Sequence, residues 1–314
     1  MQRILDPAQI EAFADRSVPR IRLPDPASLF ARRAQRLRTL AEGHSLGDYL
    51  RLMATVADGQ QVALDTLTPA LVAEQFAQQL GRQIELAHEH RMPVLQAAGW
   101  PRQERWRAIL NELCSSLAGA PGFPAGVRSV CERIVASTPA AIETQADLLI
   151  AARASGVDAP AAPFVMAALQ VYWAAMAASL QISDVTPIDV PGVCPMCGTL
   201  PVASIVRSDK RYQGYRYLHC ALCATEWHMV RITCSQCLAN DSIVYHSIEG
   251  GSAAVRAESC GKCHTYRKIL YQEKDPEGEP VADDLASLAL DLLMTEEGLH
   301  RSSGNPLLWQ NTET

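Results

Sequence analysis

Eight of the ten cysteines fall in four Cys-x-x-Cys pairs: Cys194/Cys197, Cys220/Cys223, Cys234/Cys237 and Cys260/Cys263. The gap from Cys197 to Cys220 is 22 residues, and so is the gap from Cys237 to Cys260; only ten residues separate the two middle pairs. One unit is therefore written twice, with a period of 40 residues. A Cys-x-x-Cys turn offers two thiolates to one side of a metal ion, and a second such turn completes a tetrahedron. The repeat predicts two metal sites, Cys194/Cys197/Cys220/Cys223 and Cys234/Cys237/Cys260/Cys263. A crossed pairing fits the repeat less well. Sulfur-only sites suit zinc or a single iron, because soft thiolates select those ions.

Two other uses of paired cysteines fit less well. A disulfide framework needs an oxidising compartment, and residues 1–26 lack the apolar core of a signal peptide. A thioredoxin-like motif needs one pair beside a βαβ pattern, not four in register. His219, His228 and His264 lie near the knuckles, but the cysteines already complete both shells. Trp227 and Tyr266 read as cover over the metals. Cys114 and Cys131, among apolar neighbours, read as buried structural thiols. His88 and His90 are two apart, on different helical faces, and read as solvated.

The elements that must hold these residues divide into two kinds. Residues 1–183 read as an all-α domain without strands. A short helix is expected over 7–15, an extended stretch over 20–24, and a strong helix that opens at Asp25-Pro26-Ala-Ser-Leu-Phe and ends at Gly43. In that helix Leu29, Phe30, Arg33, Leu37 and Leu40 follow helical spacing, and the Arg32, Arg33, Arg36 and Arg38 group reads as a solvated face. Further helices are expected over 46–67, 69–90, 101–118, 125–136, 140–155 and 163–180, with a shorter one over 92–99. A turn-rich stretch, 181–193, marks a domain boundary.

Short strands then follow at 203–206, 215–218, 228–232, 243–246, 254–257 and 269–271. They form two rubredoxin-like or zinc-ribbon units, 184–232 and 233–274. Each is too small for a core of its own, so a metal must replace one. Residues 275–314 hold a helix at 281–297, with Leu285, Leu288, Leu292 and Leu293 facing inward. The fold class is α+β multidomain: an all-α N-terminal domain, two tandem β units, and a C-terminal helix and tail packed on the rest.

Composition narrows the functions. Apolar residues make up 48% and charged residues 20%, as in a soluble globular protein. The most apolar stretch, 159–182, contains Pro160, Pro163, Gln170 and Gln181 and reads as a buried helix, so no membrane insertion is expected. The net charge is −6, while residues 194–270 carry nine Lys or Arg and five Asp or Glu, that is +4. That falls short of a nucleic-acid stripe. No nucleophile–base pair, carboxylate pair or phosphate loop appears, which argues against an enzyme. A rubredoxin-like electron carrier and a nucleic-acid-binding zinc-ribbon protein are the alternatives to a binding or accessory role.

The chain also resembles a known family. The resemblance rests on Leu23-Pro-Asp-Pro, Leu29-Phe-Ala-Arg-Arg-Ala and Arg36-Leu in the helical half. It continues through the four Cys-x-x-Cys pairs, Thr225-Glu-Trp-His-Met-Val-Arg and Val255-Arg-Ala-Glu-Ser-Cys260. It closes with Lys268-Ile-Leu-Tyr-Gln-Glu-Lys-Asp, the run from Asp283 to Met294, and Asn305-Pro-Leu-Leu. In these motifs the chain is similar to the formate dehydrogenase accessory proteins of the FdhE family. The resemblance implies a cytoplasmic maturation factor that binds the catalytic subunit of respiratory formate dehydrogenase. It also implies rubredoxin-type iron at the eight cysteines, so iron is favoured narrowly over zinc. The exposed charged positions Arg32, Arg36, Lys210 and Arg211 are the expected contacts with that client. One departure bears on geometry: a rubredoxin knuckle favours Gly after its second Cys, and only Gly198 meets that; Ala224, Leu238 and His264 do not.

Overall fold

A computed structural model describes residues 18–309 apart from 68, 121, 154 and 211, with the backbone only over 69–79. The helix expected over 7–15 and the contact expected at Arg211 lie outside the described residues.

The helical half is built from seven helices: α1 (Leu29–Leu40), α2 (Gly47–Thr66), α3 (Pro69–His90), α4 (Arg105–Gly119), α5 (Ala125–Val135), α6 (Pro139–Ile150) and α7 (Ala162–Ala178). Local chemistry sets several ends. Thr138 caps α6 by accepting a hydrogen bond from the Ala141 N–H, with Pro139 in the first turn. Helix α7 is buried on every face, as its apolar composition requires, and α2, α3, α4 and α6 pack against it. Its Trp173 indole N–H donates to the Leu95 carbonyl at 3.2 Å. The segment expected as a short helix over 92–99 forms turns instead. Its backbone serves the first cysteine knuckle, which stops it closing a helical ladder.

The strands are β1 (Ile21–Arg22), β2 (Pro201–Val206), β3 (Arg216–Cys220), β4 (Glu226–His228), β5 (Ile243–His246), β6 (Val255–Cys260), β7 (Thr265–Tyr271) and β8 (His300–Arg301). They lie in one sheet of order β1-β4-β3-β2-β7-β6-β5, with β8 also on β7. Within each repeat the pairing is antiparallel. The repeats are joined by a parallel pairing of β2 with β7, Ser204 opposite Ile269 and Val206 opposite Tyr271. The two units therefore share a sheet. The helical half is also not free of strands, because β1 pairs with β4, Ile21 opposite Trp227. The third strand of the first unit lies at Glu226–His228, earlier than expected, because the chain turns away at Ile232, which has φ +60°.

The C-terminal helix is broken. Helices α8 (Pro280–Ala286) and α9 (Leu288–Glu296) meet at Ser287. The break resets the helical phase, so Leu285 is buried while Leu292 and Leu293 are exposed, at 68% and 44%. Leu290, Asp291 and Met294 turn inward in their place. This corrects the inward stripe expected from one continuous helix.

Helix α8 lies against α1 and β2, and there the expected solvated arginine face is overturned. Arg33 is 1% exposed and pairs with Glu279 at 3.0 Å. Arg36 is 9% exposed and pairs with Asp283 at 2.5 Å and Asp275 at 2.6 Å. Only Arg32 and Arg38 of the group are exposed. The partners lie about 240 residues away in sequence, beyond the reach of any helical pattern. One apolar core runs through Phe30, Leu37, Trp173, Ile205, Leu285 and Leu307, from the helices into the sheet and the C-terminal segment.

The connecting stretch nonetheless carries exposed residues such as Ile182 and Val190. Limited proteolysis is expected to nick it, while the two products stay associated and co-elute in size-exclusion chromatography, because the core and ion pairs cross the cut. Elution of a free helical fragment under native conditions would show that the shared core does not hold the parts together.

Candidate metal centres

The eight cysteines converge as two clusters, Cys194/Cys197/Cys220/Cys223 and Cys234/Cys237/Cys260/Cys263, each with its four sulfurs within 4.8 Å of one another. In the first, Cys194–Cys223 and Cys197–Cys220 approach to 3.6 and 3.4 Å. In the second, Cys234–Cys263 and Cys237–Cys260 are both 3.6 Å apart. A disulfide requires about 2.05 Å, and all eight thiols are free. A metal–sulfur bond of about 2.3 Å sets the sulfurs of a tetrahedron about 3.8 Å apart, so both cavities fit one zinc or iron ion. The pairing within each 40-residue unit is the one the spacing predicts.

The local backbone explains the convergence. The residue after the second cysteine of every pair has positive φ: Gly198 +78°, Ala224 +57°, Leu238 +63° and His264 +54°. At three knuckles its N–H donates to the carbonyl of the first cysteine: Gly198 to Cys194 at 2.8 Å, Leu238 to Cys234 at 3.0 Å, His264 to Cys260 at 2.9 Å. The departure from glycine at three positions thus leaves the knuckle intact. It carries a strain of about 1–2 kcal/mol per non-glycine residue, held by the surrounding hydrogen bonds. Further N–H groups point at sulfur, from Leu222 and Cys223 to Cys220 at 3.3 and 3.4 Å, and from Gln236 and Cys237 to Cys234 at 3.3 and 3.5 Å. Donors placed this way stabilise thiolates. Burial pushes the Cys260 thiol up, but the N–H groups of Cys263 and Lys262 and the Ser242 hydroxyl bring it down to about 6. Burial likewise opposes ionisation of Cys220, yet the neighbouring thiols and Thr199 hold it well below the ordinary thiol value.

Because Leu238 is half exposed, its side chain gains little from packing. Leu238→Gly is expected to relieve the strain and raise stability by about 1 kcal/mol, after allowing for the extra freedom of glycine when unfolded. A rise in urea midpoint at unchanged slope checks this; a fall would show that the leucine side chain carries weight there.

The two clusters differ in setting. All four cysteines of the first are buried, whereas in the second Cys237 is exposed and Cys263 half-buried. The helical half causes the difference. The Leu95 and Ala97 N–H groups donate to the Met196 and Cys197 carbonyls at 2.7 and 2.9 Å, so the first knuckle is sealed by the 92–99 turns. Gly198 permits that approach, since a Cβ there would sit 3.3 Å from the Pro93 ring. The Gln170 amide of α7 donates to the Ala221 carbonyl at 2.7 Å on the other side. At the second cluster the contacts come instead from the C-terminal segment and the sheet, with the His300 N–H donating to the His264 carbonyl at 2.8 Å and Arg267 Nε to the Ser235 hydroxyl at 2.9 Å.

His219, His228 and His264 join neither cluster among the described residues. His219 faces Glu226, with Nδ1 3.0 Å from the carboxylate. Burial and the charges of Arg20 and Arg216 push His228 down to about 4. Burial would raise the Glu226 carboxyl, but Arg207, His219 and Arg22 outweigh it and hold it well below the usual carboxylate range. Trp227 and Tyr266 are buried, and their polar atoms donate to the Pro191 carbonyl and to Asp291, each at 2.8 Å. Cys114 and Cys131 are buried, as expected. Sequence reasoning missed the buried ion-pair groups around Arg36 and around Lys268, whose ammonium lies 2.5 Å from Asp291 and 3.6 Å from Asp284.

Comparisons with known proteins agree along the whole chain. Residues 18–189 match the FdhE N-terminal domain, 193–231 the FdhE central domain, and 232–308 the FdhE C-terminal domain. The Protein FdhE homolog of Cronobacter sakazakii is 42% identical over 311 residues, covering 98% of this chain and 97% of that one. Protein FdhE of Salmonella paratyphi A is 42% identical over 293 residues, covering 93% and 92%. The crystal structure of the FdhE protein from Pseudomonas aeruginosa superposes with a TM-score of 0.81 at 36% identity, covering 92% of this chain and 99% of that one. With its paired four-cysteine clusters and matches over three consecutive domains, the chain belongs to the FdhE family.

Proposed function

We propose that this chain is a non-catalytic accessory factor that works in the cytoplasm. It binds the catalytic subunit of formate dehydrogenase and is needed for that subunit's activity. It holds two metal ions at Cys194, Cys197, Cys220 and Cys223 and at Cys234, Cys237, Cys260 and Cys263. The observation that carries the reading is the pair of closed sulfur-only shells in a member of the FdhE family. A catalytic metal keeps a coordination position open for water or substrate. Four convergent thiols fill the tetrahedron, which supports a holding role. Iron is favoured over zinc by the family resemblance, and N–H···S bonds stabilise the thiolate charge around either ion. No helix among the described residues is long and apolar enough to cross a membrane. Among the expected client contacts, Arg32 and Lys210 are exposed and available, while Arg36 is withdrawn into an ion pair.

A second reading, a one-electron carrier, is favoured by the exposure of Cys237, since electron transfer needs a metal close to the surface. A deletion strain separates the two. Lost formate oxidation with normal amounts of catalytic polypeptide, together with retention of that polypeptide by the tagged chain in a pull-down, supports the accessory role. Undiminished formate oxidation, or capture of nucleic acid in place of protein at physiological salt, would reject it. Anaerobically purified protein that is colourless and holds two zinc ions would reject iron and leave the four-thiol shells unaffected.

A further inference from the structure

The 40-residue repeat gives every residue of the first cluster a counterpart in the second, and the counterparts differ. Inside the knuckles, Met196 corresponds to Gln236 and Leu222 to Lys262. Met196 and Leu222 are buried, while Gln236 and Lys262 are exposed. Apolar side chains turn the first pair of knuckles into the core, and polar ones leave the second pair at the surface. Cys197 is accordingly buried, whereas its counterpart Cys237 is the one exposed cysteine of the eight.

The hydroxyl groups on sulfur differ at the same place. In the first cluster the Thr199 hydroxyl lies 3.1 Å from Cys197 and 3.2 Å from Cys220, and the Thr225 hydroxyl 3.2 Å from Cys223. In the second, Thr265 repeats the Thr225 contact, 3.1 Å from Cys263. Thr199 is not repeated, because the residue 40 positions on is Ala239. Its backbone N–H reaches Cys237, but the hydroxyl is gone. Ser242 comes only to 3.8 Å of Cys260. Exposure and a missing hydroxyl thus coincide on Cys237, and groups that hydrogen-bond to ligands set how firmly those ligands hold a metal.

We propose that Cys237 is an exchangeable ligand, displaced from the ion of the second cluster by a thiolate arriving from solvent, while the first cluster stays closed to substitution. In the exchange the metal bond to Cys237 breaks and a bond to the incoming sulfur forms. Cys237 leaves as a thiolate and takes a proton from water; no electron moves. Four-coordinate zinc can expand to five ligands in a transition state, and that expansion needs an open approach. Cys237 offers one, and Cys197 does not. A thiolate is the fitting entrant because it restores the sulfur-only shell that soft ions select. The inference rests on the reading that both clusters hold an ion, and counting ions before the challenge tests that reading separately.

The test challenges the zinc-loaded full chain with excess dimercaptosuccinate and counts bound ions over time by native mass spectrometry. One ion is expected to leave about tenfold faster than the other. Cys220→Ser is expected to show the fast release alone and Cys237→Ser the slow release alone. Ala239→Thr, which restores the hydroxyl, is expected to slow the fast release about threefold. Succinate, the same diacid without thiols, is expected to release nothing. Iodoacetamide on the loaded parent chain is expected to label Cys237 before any other cluster cysteine, with loss of one ion, a readout that needs no variant to fold. Equal rates for the two ions, retention of both, equal release by succinate, or labelling that begins in the first cluster would each overturn the proposal. A chain that takes up fewer than two zinc ions at the outset would overturn the metal reading and this inference with it.

Discussion

Arg36→Ala is expected to destabilise the protein by about 3–5 kcal/mol, the typical result of removing one partner from a buried ion pair. Arg36 lies between Asp283 and Asp275, and its removal leaves the 3% exposed Asp283 carboxylate without its cation. The loss falls on the contact between α1 and α8, which ties the first described helix to the C-terminal segment. For a chain of this size the melting temperature is expected to drop by roughly 5–10 °C. Pairing the change with Asp283→Ala should cost less than the sum of the two single changes, because the second removes the orphaned charge. Thermal and urea unfolding of the four proteins of that cycle measure the coupling. If Arg36→Ala melts within a degree of the parent, the pair is not structural and the two ends of the chain are held by apolar packing alone. A client-binding defect in an Arg36 variant must accordingly be read against its stability, whereas Arg32 and Lys210 offer exposed positions free of that problem.

The second large effect separates the metal centres. Cys220→Ser and Cys237→Ser are each expected to cost one metal ion per chain and to leave the other bound, because no sulfur is shared between the clusters. Their consequences for the fold differ. Structural four-cysteine metals contribute on the order of 10 kcal/mol to the unit they hold. Around Cys220 that unit is sealed by the Leu95, Ala97 and Gln170 contacts, so its loss is expected to lower the melting of the helical half as well. Around Cys237 the cluster faces solvent, so hydrogen exchange should rise over 233–263 while the helical half melts near the parent temperature. Metal counting, thermal melting and exchange on both variants check this. Loss of both ions from either variant would show that the clusters are not independent; identical melting of the two variants would show that the burial of the first has no energetic weight.

The two cysteine clusters were legible because a Cys-x-x-Cys turn is a local device: the thiols of a pair meet through a few backbone torsions, and the 40-residue repeat says which pairs combine. Helix α7 was legible for a similar reason, since an apolar stretch of that length interrupted by glutamines can only be buried inside protein. Strand β5 was also found at its observed bounds, Ile243–His246. The knuckle at Leu238 was less legible, because positive φ is read from glycine. Here the hydrogen bonds of the turn impose it on a leucine.

Arg36 shows the limit of local reading. Its charge is that of a solvent-facing residue, and only Asp283, 247 residues further on, gives it a partner inside the protein. The same holds for the break at Ser287 and the parallel joining of β2 to β7. The sequence by itself determined which sulfurs form each cluster and that helices precede them, since both follow from short-range geometry and periodicity. The tertiary structure alone decided that one cluster is sealed and the other open, and that the two repeats share one sheet and core. Burial and long-range pairing depend on which surfaces meet, and residues far apart in the chain carry no mark of that meeting.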